Sequence, residues 1–220
     1  MKNLLITLLL SIILFSSKKV LAQNIDKDFS EILSNYHLSK DSGIVEKSID
    51  YLNKTQMDYE ILSSIVTGFY GAVFLNDEAI KKDFGNKITL LKKPKIKRLM
   101  IFLLSSNIDT VYSKAKVSIT LNTMNWSSFF ATGNTKYLDH IIENIQYVEN
   151  RTDRNLFLAG ASAKTSLCAN SKKSDSVYKY LNSLIEKKPF LKEILENDPK
   201  YFQNEMIDIL KIQRENRLWN

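Results

Sequence analysis

Apolar residues recur at three- and four-residue spacing along nearly the whole chain, and no run alternates Val, Ile and Thr over strand length. That periodicity predicts helices throughout. Phe29, Ile32, Leu33 and Tyr36 mark a first helix, a Ser39–Gly43 break ends it, and Ile44, Val45, Ile49 and Leu52 mark a second. Tyr59 through Phe74 is apolar on most sides and predicts a long third helix; Asn76 or Asp77 then caps the next. Ile80, Phe84, Ile88 and Leu91 form the stripe of a fourth helix, and Pro94 opens a fifth through Leu104. A sixth helical region carries Val111 to Phe130. Gly133 is expected to end it in the left-handed conformation, with Asn134 capping a seventh helix through Val148. An eighth begins at Asp153. A ninth opens at Ser174 or Asp175 and stops at Pro189, and Asp198-Pro199 starts the last.

Four stretches, 36–52, 74–88, 130–145 and 168–185, share one order: helix end, polar corner, amphipathic return helix. Each reads as an αα-hairpin, and stacked hairpins build helical repeat proteins. The return stripes begin near Ile44, Ile80, Leu138 and Val177, so their separations are irregular, with an extra helix around 96–104. The expected fold is all-α, an irregular array of stacked αα-hairpins.

The first residues change what counts as the mature chain. A positive start, an apolar run from Leu4 to Phe15 and Val20-Leu21-Ala22 make a signal peptide over residues 1–22, cut before Gln23. The apolar run falls short of the roughly 20 residues that span a bilayer. One helical domain, 23–220, is expected to follow, exported to the periplasm or beyond and without stable membrane insertion. Loss of Lys2, Lys18 and Lys19 takes the formal charge from +7 to +4. That balance gives no reason to expect a nucleic-acid partner. The one dense basic run, 92–98, reads as a solvated loop and helix start. Cys168 is the only cysteine, so no intramolecular disulfide forms, and its apolar setting suits a small buried thiol.

The segment Trp126, Phe129, Phe130, Ala131, Thr132 and Gly133 carries a resemblance. It is similar to a group of uncharacterised exported bacterial proteins with Trp-x-x-Phe-Phe-Ala-Thr-Gly. The hairpin pattern resembles degenerate tetratricopeptide-type or Sel1-type repeats. Trp126 and Phe129 match the tetratricopeptide spacing, but Phe130 is large where that unit has a small residue. The resemblance implies a protein- or peptide-binding scaffold and brings no activity with it.

The search for chemistry leaves little. His37 and His140 are the only histidines and lack metal-ligand spacing, so no metal is expected. His140 with Asp139 and Glu143 could face one way, but the stripe Leu138/Ile141/Ile142 puts them in solvent. Gly160-Ala161-Ser162-Ala163-Lys164-Thr165 lacks the second glycine and the strand that a phosphate loop needs. Ala159, Gly160 and Ala163 read instead as a small face for close helix approach. Ser176-x-x-Lys179 has none of its companion motifs. No catalytic residue and no cofactor are expected. Candidate binding residues are Tyr70, Phe74, Trp126, Phe129, Phe130, Asn134 and His140. The favoured function is a binding or scaffold module for a protein or peptide. Two alternatives stay open: a small enzyme with its site at the Trp126–His140 corner, and an apolar-ligand carrier with a cavity among Phe69, Phe74, Phe129 and Phe130.

Overall fold

Short polar side chains fix where most helices begin. Asp58, Asp77, Asn107, Asp153, Ser174 and Asp198 each accept a backbone N–H from the first turn of the helix they precede. Such a cap contributes about 1 kcal/mol. The computed structural model describes residues 20–219, with side chains from Phe29 onward. The expected leader, residues 1–22, falls outside the residues described with side chains.

The described residues form twelve α-helices, two more than the ten expected, and no strand, so the all-helical class is the one the periodicity predicts. They are α1 (Val20–Ser39), α2 (Ile44–Lys54), α3 (Tyr59–Asn76), α4 (Glu78–Lys87), α5 (Pro94–Ser105) and α6 (Ile108–Lys114), then α7 (Ile119–Thr132), α8 (Lys136–Asn144), α9 (Arg154–Ser171), α10 (Asp175–Ser183), α11 (Phe190–Glu196) and α12 (Pro199–Glu215). Two 3₁₀ turns, Ile88–Leu90 and Ile145–Glu149, extend α4 and α8. The sequence pattern reads these as plain continuations of the helices. Tightening to i→i+3 bonds satisfies the last carbonyls of a helix that cannot run on.

Two other boundaries depart from expectation. The sixth helical region is two helices, because Ser118 Oγ accepts the Leu121 N–H at 3.1 Å and begins a new one. Pro189 opens the unexpected α11 instead of only stopping its predecessor: its φ of −58° fits a helix start, and Leu191, Ile194 and Leu195 are buried beyond it. Thr135, directly before α8, already has helical backbone angles and makes no side-chain cap bond.

The contacts divide the chain into two compact units: residues up to Ala115 with Thr123–Asn134, and Lys116–Asn122 with Thr135–Asn220. The first is built around α3, which packs against α4, α5 and α6. Leu62, Val66, Phe69, Tyr70, Val73 and Phe74 point to several sides of α3 and are all buried. Gly68 is where α7 crosses: a Cβ there would stand 2.2 Å from the Met124 carbonyl oxygen. Ser128 Oγ, one turn further along α7, donates to the Gly68 carbonyl at 2.7 Å and lies 2.7 Å from the Tyr112 hydroxyl.

The second unit is built around α9, which packs against α8, the 3₁₀ turn after it, α10, α11 and α12. Its interior face is small: Ala159, Gly160, Ala161 and Ala163 are buried, as expected for close approach. The element admitted is the 3₁₀ turn, whose Val148 nitrogen lies 2.3 Å from where a Gly160 Cβ would sit. A buried amide chain adds direction. Asn144 Nδ2 donates to Asn122 Oδ1 at 2.7 Å, and Asn122 Nδ2 donates to the Ala159 carbonyl at 2.8 Å.

Candidate functional site

The sequence concentrates its aromatic residues at the end of α7. Helical spacing brings Trp126, Phe129 and Phe130 together, with the Trp126 and Phe130 rings stacked 5.6 Å apart and Phe129 edge-on to Trp126 at 6.2 Å. Trp126 is 8% exposed and Phe129 2%, so these two rings pack inward; Phe130 is half-buried. Gly133 then turns the chain at φ +72°, and its N–H bonds the Phe129 carbonyl at 2.6 Å. This left-handed exit is the one expected, because only glycine takes it without a Cβ clash.

Tyr70 and Phe74 form a second aromatic group. Their rings meet each other and the ring of Phe84 in α4, all at 5.1–5.7 Å. The Tyr70 hydroxyl donates to Ser48 Oγ, which donates to the Ile44 carbonyl at 2.5 Å. Burial pushes the Tyr70 phenol well above its ordinary range. This hydroxyl is a satisfied core donor. Phe69 packs edge-on to Tyr36 and Tyr70, so the rings named for an apolar cavity are in contact with other rings.

Asn134 and His140 are exposed. Asp139, beside His140, accepts a hydrogen bond from the Tyr180 hydroxyl of α10 at 2.6 Å. Burial and that carboxylate together raise the Tyr180 phenol. Cys168 is buried and donates to the Asn197 carbonyl at 3.2 Å, with burial raising its thiol. Among the described residues no group of three or more His, Cys, Asp or Glu is placed to hold a metal ion.

Two polar features escape the sequence reading. His37 in α1 reaches the aromatic corner: its Nδ1–H donates to the Phe130 carbonyl at 3.2 Å, and its ring lies 5.5 Å from Phe129. Its Nε2 is buried with no hydrogen-bond partner. Burial lowers its pKa below the ordinary 6.5, with Lys40 adding a smaller push the same way, against the Phe130 hydrogen bond. Lys164 in α9 is the other. Its ammonium lies 3.4 Å from both Glu193 of α11 and Glu205 of α12, and 4.6 Å above the Phe202 ring. It borders a cavity of about 10 Å³ with Phe157, Ala161 and Met206, room for a single water. A 93-residue separation for His37 and Phe130, and 29 and 41 for Lys164 with Glu193 and Glu205, leave no local signal for either.

Comparison with known protein families, curated proteins and solved structures finds no match to this chain.

Proposed function

We propose that the mature chain is an exported binding or scaffold module of stacked αα-hairpins that engages a protein or peptide and performs no chemistry of its own. The fate of the aromatic rings supports this reading. Tyr70, Phe74, Trp126 and Phe129, four of the candidate binding residues, are each less than 9% exposed and face other rings, so they serve the core and leave recognition to surface side chains. The large apolar side chains left over stand on outer helix faces, among them Ile101, Phe102, Phe190 and Tyr201. Recognition by helix faces is how helical arrays engage extended partners. The leader-like start supports export, and the corner motif supports kinship with repeat scaffolds.

The test is affinity capture on the mature form, residues 23–220, from the envelope and culture fluid of the source cells, with each captured polypeptide purified and titrated back by calorimetry. A saturable complex that survives Asn134→Ala and His140→Ala is the expected result. Turnover of any substrate in a broad hydrolase panel, abolished by those two substitutions without unfolding, would overturn the reading in favour of an enzyme at the Trp126–His140 corner.

A further inference from the structure

The outer face of α5 is unlike the other helix surfaces in charge. Residues 84–108 contain six lysines and arginines and no aspartate or glutamate. Lys87 is spent on Asp83 and Glu46, and Lys93 on the Thr55 carbonyl. Lys92, Lys95, Lys97 and Arg98 have no carboxylate within ion-pair distance among the described residues. Lys95 lies over the Tyr59 ring at 5.4 Å, and Asp58 and Glu60 on either side of that ring do not pair with it. These cations crowd the start of a helix whose first turn holds no acid and whose preceding residue, Lys93, makes no side-chain cap. The macrodipole is positive at that end, so the arrangement is electrostatically unfavourable without an external anion.

One turn further, the same face becomes apolar. Ile96, Met100 and Leu103 hold α5 against the core, which turns Lys95, Arg98, Ile101 and Phe102 outward at helical spacing. Ile101 and Phe102 are each 50% exposed. The combination is an exposed strip, cationic at one end and apolar at the other.

We infer that this strip docks the protein on a membrane surface rich in anionic phospholipid, with Lys92, Lys95, Lys97 and Arg98 against headgroup phosphates and Ile101 and Phe102 entering the interface. Charge complementarity selects an anionic occupant, and two features select lipid over an acidic polypeptide. The strip's cations are mostly lysines, which are depleted at protein interfaces but effective at anionic bilayers. The adjoining apolar pair supplies the second signal that durable surface binding requires. Among the described residues no helix is long and apolar enough to cross a membrane, so the contact is peripheral. This docking would place the module at a surface whatever protein it engages.

The experiment is vesicle co-sedimentation of the mature protein with phosphatidylglycerol/phosphatidylcholine vesicles and with phosphatidylcholine alone. Binding to the anionic vesicles alone, weakening as salt rises, is expected. Lys95→Gln/Arg98→Gln should lower affinity about 25-fold, at roughly 5-fold per cation removed. Ile101→Ser/Phe102→Ser should also weaken it. Lys179→Gln/Lys187→Gln, an equal charge change on exposed residues of the other unit, should not. Circular dichroism checks that each variant is folded. Equal binding to both vesicle types, an equal loss in the Lys179/Lys187 control, or capture of polyglutamate in preference to vesicles overturns the proposal.

Discussion

The two central helices, α3 and α9, do the same job with opposite materials. Around α3 the space is filled by rings: Phe69, Tyr70 and Phe74 from the helix itself, with Tyr36 and Phe84 from its neighbours. Around α9 it is closed by backbone, because Ala159, Gly160 and Ala163 let the chain at Val148 come into direct contact. The contrast separates two ways of burying a helix on all sides. One spends large apolar area, about 25 cal/mol per Å² removed from water. The other spends proximity, gaining dispersion contacts at close-packed density. They meet at Gly68, where the aromatic helix too must admit a neighbouring backbone.

Adding a single methyl group separates these strategies most sharply. Gly68→Ala and Gly160→Ala would place Cβ 2.2 Å from the Met124 oxygen and 2.3 Å from the Val148 nitrogen, atoms fixed in backbone. Each should lose about 3 kcal/mol or more in urea unfolding. Gly85→Ala in α4, with only Leu104 Cδ2 at 4.0 Å, should gain about 0.5–1 kcal/mol from helix propensity. Equal effects at all three would show that proximity is not what α9 and the α3–α7 crossing depend on.

A smaller loss is expected at the aromatic corner. Gly133→Val forces a β-branched residue to φ +72° and brings its Cβ to 3.1 Å from the His37 ring. Stability should fall by about 1 kcal/mol or more. An unchanged melting temperature would remove the corner from the packing account.

The smallest effect concerns pH. The folded state holds His37 below its ordinary pKa, so below about pH 6.5 the unfolded chain binds the extra proton first. Stability from this residue is complete above that pH and is lost as pH falls towards the folded value. His37→Gln should flatten the dependence of the melting temperature on pH between pH 7 and 5. A profile unaltered by His37→Gln would mean that the buried Nε2 has no energetic consequence.

The all-helical class was legible because nearly every helix writes its own stripe and cap: Asp77, Asp153, Ser174 and Pro199 stand where the pattern puts them. The Gly133 exit and the small face around Gly160 were legible for the same local reason. What failed were boundaries decided by competition within a few residues. Ser118 restarts a helix that the apolar spacing would have continued, and Pro189 opens a helix where it was expected only to stop one. What was invisible was pairing across long separations, as with His37 at Phe130 and Lys164 between Glu193 and Glu205. Helical spacing does put Tyr70 beside Phe74 and Trp126 beside Phe130, but periodicity alone does not say whether a ring faces a groove or a core.

Native-state hydrogen exchange addresses that question directly. If the Trp126–Gly133 corner is a packing seam, amides at 126–132 exchange as slowly as those of α3 at 68–74, opening in one cooperative step. Exchange at 126–132 orders of magnitude faster than in α3 would mark the corner as a locally mobile site and contradict the account.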